Sequence, residues 1–199
     1  MKSKLISFEI HLTVAPLTEA ETAQFVAICL DNEAKAILIE LAQGESKNQP
    51  MFTKVVYAKT IIDALAMANK CADVLNKTFN VTRIKMEIPS KFDYLFLNKK
   101  QTPFDNYYEW HGKVIYDKID NLNTLCNKNK VHISLNSLKN ETDKRFITLR
   151  EFGTNVVFAQ RINDLVMGLQ NGNWQLLSQH FEYCVYDNNT VLDAGWLPQ

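Results

Sequence analysis

The sequence predicts an α+β fold built from two tandem copies of a ferredoxin-like βαββαβ module, with mostly antiparallel sheets. Three observations predict it. The pattern aromatic-Glu-x-His-x-x-Val occurs twice, at 8–14 and at 108–114, and 111 − 11 = 100 residues separate the two histidines. Each half shows the order strand, helix, strand, strand, helix, strand. Equivalent residues recur at nearly the same offset, as an internal duplication requires.

The first half alternates between strand periodicity and helix periodicity. Thr18 stands three residues before Glu21, which is the spacing of a helix capping box. Ile61, Leu65 and Ala68 lie three and four residues apart, so they form one apolar stripe of a helix. The predicted elements are a strand at 5–15, a helix at 19–32, strands at 34–42 and 51–57, a helix at 60–78 and a strand at 81–88.

The second half repeats this order. Its predicted elements are a strand at 107–116, a helix at 117–129, strands at 131–138 and 145–152, a helix at 154–170 and a strand at 181–187. Residues between the halves lack a clear periodicity and contain Pro103. The sequence therefore predicts a first module at 1–90, a connection at 91–106 and a second module at 107–199, packed as one compact body.

Composition excludes several classes of protein. The 199 residues include 22 acidic and 22 basic side chains, and this balance provides no overall field to attract nucleic acid. Apolar runs are too short to span a bilayer, and the first residues do not read as a signal peptide. The four cysteines are scattered, as is typical of free thiols in a reducing compartment. We expect a cytoplasmic protein without a membrane partner.

A candidate site follows from the predicted modules. The helices of such a module cover one face of its sheet, so the polar residues of the first strand face the open side. Two open faces that meet would enclose a cleft. The residues expected to line it are Glu9, His11, Thr13, Glu109, His111 and Lys113, with Arg83, Lys85, Glu87 and Asp187 at its edges.

Three interpretations of this cleft remain open. In the first, His11 and His111 act as catalytic acid and base, oriented by Glu9 and Glu109. There Thr13, Arg83, Lys85 and Lys113 bind a small phosphorylated or nucleotide-like ligand, with hydrolysis as an option. In the second, a divalent metal such as Zn, Fe, Ni or Mn is bound by His11, His111, Glu87 and Asp187. In the third, the strands only form hydrogen bonds between modules, and the paired sheets present a partner surface of a non-enzymatic regulatory protein.

Two short motifs resemble those of a known superfamily. His11-Leu12-Thr13 and His132-Ile133-Ser134 resemble the paired His-x-Thr/Ser motifs of the 2H phosphoesterases, which cleave 2′,3′-cyclic or related phosphodiesters. The resemblance implies that His11 and His132 transfer protons and that Thr13 and Ser134 contact phosphate. The internal repeat instead pairs His11 with His111.

A broader resemblance covers most of the chain. The stretches 8–14, 83–87, 108–114 and 185–196 resemble an uncharacterised group of conserved bacterial proteins with duplicated aromatic-Glu-x-His strands. This resemblance implies the duplication but no activity.

Overall fold

The computed structural model describes residues 5–97, 106–115, 119–139 and 141–195. Its elements are β1 (Ile6–Val14), α1 (Glu19–Asp31), β2 (Lys35–Leu41), β3 (Asn48–Ala58), α2 (Ile61–Leu75), β4 (Val81–Pro89), β5 (Tyr107–Ile115), α3 (Ile119–Asn129), β6 (His132–Asn136), β7 (Lys144–Glu151), α4 (Asn155–Asn171) and β8 (Leu176–Asp187), with 3₁₀ helices at Ser90–Leu95 and Thr190–Asp193. This is the predicted order of elements. Residues 98–105 of the predicted connection lie outside the described residues.

The predicted fold class of two ferredoxin-like modules is wrong. The strands form one closed barrel in the order β1-β3-β2-β6-β7-β5-β8-β4. Closure arises where the two halves pair, β2 with β6 and β4 with β8, both antiparallel. A free edge strand exposes unpaired N–H and C=O groups, and these two pairings satisfy the edges of both halves. The polar strand faces therefore line the interior of one barrel instead of a cleft between two modules.

Threonine residues cap three of the helices. The capping box of α1 is present: Thr18 accepts a hydrogen bond from the Glu21 N–H at 3.3 Å, and the Glu21 carboxylate accepts one from the Thr18 N–H at 2.8 Å. The Oγ1 atoms of Thr60 and Thr154 accept from backbone N–H groups at the starts of α2 and α4. Each cap satisfies one orphan donor and contributes about 1 kcal/mol to helix stability.

The apolar core lies between the outer face of the barrel and the helices. Along β1, Phe8, Ile10 and Leu12 are fully buried in it, together with Phe25 of α1 and Ala68 of α2. Because successive strand residues point to opposite faces, the intervening polar residues of β1 point into the barrel.

Gly112 in β5 stands where β1 has a large apolar residue. Gly112 occupies the position that corresponds to Leu12, 100 residues earlier. A Cβ atom at Gly112 would lie 2.2 Å from the ring of the fully buried Trp110. The missing side chain therefore lets the indole pack along β5.

No helix in the described part of the chain is long and apolar enough to cross a membrane.

Candidate functional site

A cavity of about 760 Å³ occupies the barrel interior. Predicted site residues that line it are Glu9, His11, Thr13, Arg83, Lys85, Glu87, Glu109 and His111. Lys113 and Asp187 are outside the lining. The structure thus brings most of the predicted residues together, although their roles as acid, base or ligand stay predictions.

The two motif histidines make the same contact in each half of the barrel. His11 Nδ1 lies 3.0 Å from Thr53 Oγ1, and His111 Nδ1 lies 2.9 Å from Thr148 Oγ1. Thr53 and Thr148 belong to β3 and β7, and they were not predicted. These hydrogen bonds fix both imidazoles and direct their Nε2 atoms toward carboxylates.

The carboxylates that contact the histidines differ in part from those predicted. His11 Nε2 lies 2.9 Å from Glu87, whereas Glu9 does not hold its ring. His111 Nε2 lies 3.3 Å from Glu109, as predicted, and 3.2 Å from Glu182. The orienting role predicted for Glu9 is therefore not supported by the described contacts.

Asp187 is not the counterpart of Glu87. In the strand register Glu9 is opposite Glu87 and Glu109 is opposite Glu182, so Glu182 takes that position in the second half. Asp187 instead forms an ion pair with Arg83. The predicted metal set of two histidines with Glu87 and Asp187 is therefore not assembled.

Arg83 lies at the centre of a buried ion-pair network at one end of the cavity. Its guanidinium contacts both carboxylate oxygens of Asp187 and both of Asp193, the latter at 3.0 and 2.9 Å. Tyr107 donates a hydrogen bond of 2.5 Å to Asp187. All four side chains are at least 95% buried. Arg83 is therefore bound by two carboxylates before any ligand arrives.

The positive charges of Lys85 and Arg150 are also balanced by neighbouring carboxylates. Lys85 Nζ lies 2.9 Å from Glu87 and 2.5 Å from Glu109. Arg150 donates to Glu109 at 2.7 Å and to Asp193 at 2.8 Å. Three cations thus share four carboxylates, and neither Lys85 nor Arg150 is left with an unpaired charge.

Lys113 is paired with a glutamate outside the cavity lining. Its Nζ lies 2.6 Å from Glu141 and 5.7 Å from the ring centroid of Phe146. The anion-binding role predicted for Lys113 would require it to leave this carboxylate.

The carboxylates around His111 control its protonation. Burial lowers its pKa, but hydrogen bonds from its ring to Glu109 and Glu182 outweigh burial and raise the pKa to about 10. Burial raises the pKa of Glu182, and the His111 hydrogen bond overcomes this and lowers it to about 2. His111 is consequently an imidazolium near neutral pH, which suits a hydrogen-bond donor better than a general base.

His132 is held neutral. It lies in β6, is 5% exposed, and burial followed by the charge of Arg150 lowers its pKa from 6.5 to about 4. The unfolded chain therefore binds a proton near pH 6.5 and the folded chain only near pH 4, so stability falls as the pH decreases between these values. We expect this residue to account for a loss of about 2 kcal/mol in unfolding free energy between pH 7 and pH 4.5.

Urea denaturation of wild type and His132→Gln at both pH values measures this contribution. The variant is expected to lose less stability than wild type on acidification, because its amide does not titrate. Parallel losses in the two proteins would contradict the assigned effect of His132.

Comparisons with known proteins complete the description. No protein-family model and no curated protein matches the sequence. Among solved structures, a "putative monooxygenase" from Lactobacillus acidophilus NCFM has 12% identity and a TM-score of 0.32, with 92% of this chain and 93% of that chain covered. A "putative monooxygenase" from Fusobacterium nucleatum has 8% identity, a TM-score of 0.34, and coverage of 100% and 99%. A "putative chlorite dismutase" has 8% identity, a TM-score of 0.32, and coverage of 91% and 94%. With TM-scores below 0.5, these likenesses carry no weight for the function of this chain.

Proposed function

We propose that the barrel interior binds a small amphiphilic organic molecule with an uncharged polar head group. The cavity of about 760 Å³ carries this proposal, because ligand pockets usually measure roughly 300–1,000 Å³. Most apolar side chains of the lining lie on one wall, beside polar residues such as Gln49, Ser134 and Asn136; they are Ile37, Ile39, Leu41, Met51, Leu135 and Phe146. The opposite wall carries the histidines and ion pairs. An apolar body and a hydrogen-bonding head would each find a matching surface.

The charges of the polar wall favour an uncharged head group. A phosphorylated or nucleotide-like ligand needs positive charge that is free to bind it. Arg83, Lys85 and Arg150 each already contact two carboxylates. An added phosphate would have to compete with those carboxylates, which argues against the anionic ligand that the sequence suggested.

Binding, rather than hydrolysis, is proposed because of the protonation state of His111. A histidine that starts proton abstraction must be neutral, and the raised pKa of His111 keeps it protonated near neutral pH. A role as a partner surface is also disfavoured, since the polar faces of the sheets are enclosed in the barrel.

A thermal-shift experiment tests the proposal. Protein freed of bound lipid and metal is mixed with uncharged amphiphiles, represented by 1-naphthol and 1-decanol, or with phosphorylated compounds, represented by AMP, 2′,3′-cyclic AMP and glucose 6-phosphate. A ligand that binds only the folded protein raises its Tm. We expect an increase with an uncharged amphiphile and none with the phosphorylated set.

Two variants of β2 locate the binding. Ile39→Trp adds an indole to the apolar wall and should weaken binding at least fivefold, while Leu38→Trp, at a residue outside the cavity lining, should not. A Tm increase only with phosphorylated compounds would overturn the uncharged head group. No increase with either set, or equal loss of binding in both variants, would overturn binding in the cavity.

A further inference from the structure

We infer that His111, Glu87 and Glu182 form a binding site for one divalent transition-metal ion on the polar wall of the cavity. One ring nitrogen of His111 and one carboxylate oxygen from each glutamate all lie within 4.8 Å of one another. The residues belong to β5, β4 and β8, which are adjacent in the barrel order. Three adjacent strands therefore place three potential metal-binding atoms near one another. The site shares the cavity with the proposed organic ligand, but it does not depend on that ligand.

The donor geometry is close to that of a bound ion. Imidazole nitrogen and carboxylate oxygen bind Zn²⁺ at about 2.0–2.2 Å, so two donors on one tetrahedral ion lie roughly 3.4 Å apart. His111 Nε2 and the Glu182 carboxylate are 3.2 Å apart, and a bound ion would replace the Nε2 proton that joins them, so binding releases a proton. Glu87 completes the set with a carboxylate oxygen within 4.8 Å of the other two donors.

The second nitrogen of the imidazole provides an independent indication. A metal-binding histidine usually has its other ring nitrogen held by a hydrogen bond, which sets the tautomer and the ring direction. His111 Nδ1 lies 2.9 Å from Thr148 Oγ1. Thr148 is 3% exposed, so this hydrogen bond is protected from water and holds Nε2 toward the glutamates.

Neighbouring groups hold the Glu87 carboxylate in place. Lys85 Nζ lies 2.9 Å from Glu87 Oε1, and His11 Nε2 lies 2.9 Å from Glu87 Oε2. His11 is in turn held by Thr53. These contacts position the carboxylate from both sides.

The chemistry of the donor set selects the type of ion. One imidazole and two carboxylates suit Zn²⁺, Mn²⁺, Fe²⁺ or Co²⁺ rather than a soft thiophilic ion. Three protein ligands beside a cavity leave open coordination positions, which is the arrangement of reactive rather than purely structural sites. A ligand entering the barrel could therefore reach the ion.

Metal titration tests this site. Protein stripped with a chelator is titrated with Zn²⁺ by calorimetry and with Co²⁺ by visible absorption, which reports coordination geometry. We expect one equivalent of Zn²⁺ to bind and Co²⁺ to give absorption bands of a low-coordinate nitrogen and oxygen site. Glu182→Gln and His111→Gln should weaken binding at least 100-fold.

Further variants separate ligation from loss of structure. Thr148→Val should weaken Zn²⁺ binding about 10- to 100-fold, the usual effect of removing a hydrogen bond behind a ligand, with little change in the circular dichroism spectrum. Glu141→Gln removes a carboxylate outside the cluster and outside the cavity lining, and it should bind Zn²⁺ within twofold of wild type.

Two results would overturn the assignment. One is failure of wild type to bind Zn²⁺ or Co²⁺ with a Kd below about 100 μM. The other is tight binding that persists in Glu182→Gln and Thr148→Val, which would place the ion elsewhere. Both results are obtained without any organic ligand, so they are independent of the outcome for the proposed function.

Discussion

Replacing Glu109 with glutamine is expected to lower the unfolding free energy by about 3–5 kcal/mol. This carboxylate is 1% exposed. It contacts Arg150 at 2.6 Å, Lys85 at 2.5 Å and His111 at 3.3 Å. Glutamine keeps the size of the side chain but removes its charge, so buried cations lose a shared partner. Urea denaturation at neutral pH with a chelator present measures the change without contributions from metal.

Glu141→Gln provides the matched control. Glu141 also forms a lysine pair, at 2.6 Å from Lys113, but its side chain is 30% exposed. Exposed ion pairs contribute little because water screens them, so this variant should lose only a small fraction of what Glu109→Gln loses. Equal losses of unfolding free energy in the two variants would mean that burial does not strengthen the ion pairs of the interior network.

The order and type of the elements could be predicted from local periodicity, but closure of the barrel could not. Alternation in β1 correctly separates Phe8, Ile10 and Leu12 from the polar residues between them. Closure depends instead on pairings between distant segments, such as Lys85 opposite Asp187. No local pattern encodes such a pairing, because any edge strand satisfies its hydrogen bonds with any other edge strand of suitable length.

The repeat predicted the equivalence of His11 and His111, but a constant offset gave the wrong acidic partner. The offset changes within the second half: 148 − 53 = 95 for the threonines that hold the two histidines. It is also 182 − 87 = 95 for the glutamates that contact them. Part of the change comes from the first helix of each half, which has 13 residues in α1 and 11 in α3. An alignment that allowed a total deletion of five residues in the second half, of which the shorter helix provides two, would have selected Glu182 instead of Asp187.

The ion pairs of Arg83 could not be predicted from the sequence, for a different reason. Arg83 alternates with apolar residues along β4, so its position on the polar face was correctly predicted. Its partners Asp187 and Asp193 lie more than 100 residues away, and Asp193 follows β8 in a short 3₁₀ helix. A basic residue on a predicted interior face therefore indicates an ion pair as readily as an anion site.

Arg83→Met is the second substitution with a large expected effect. Methionine approximates the aliphatic part of arginine but leaves Asp187 and Asp193 with less compensation inside the protein. Removing one partner of a buried ion pair typically costs about 3–5 kcal/mol, and we expect a loss of this size in urea denaturation at neutral pH. Asp187 has its pKa lowered: burial raises it, and the Arg83 hydrogen bond and charge lower it by more. Removing the arginine removes the main groups that lower this pKa, so burial then disfavours the charged form of Asp187.

Neutralising the two carboxylates tests the cause. Arg83→Met/Asp187→Asn/Asp193→Asn removes the unpaired charges, and it should recover at least half of the stability lost in Arg83→Met. If the triple variant is no more stable than the single variant, the loss comes from packing around the arginine and the electrostatic explanation is wrong.

The same substitution should act on the segment after β8. Arg83 and Arg150 both hold Asp193, whereas elsewhere this segment is anchored by single hydrogen bonds, from Gln49 to the Leu192 carbonyl and from the Glu45 N–H to Ala194. Hydrogen exchange should therefore be faster at 190–194 in Arg83→Met, while the amides of β1 stay protected, because locally weakened elements open before the whole fold does. Uniformly faster exchange throughout the barrel would show that Arg83 stabilises the entire structure rather than the segment 190–194.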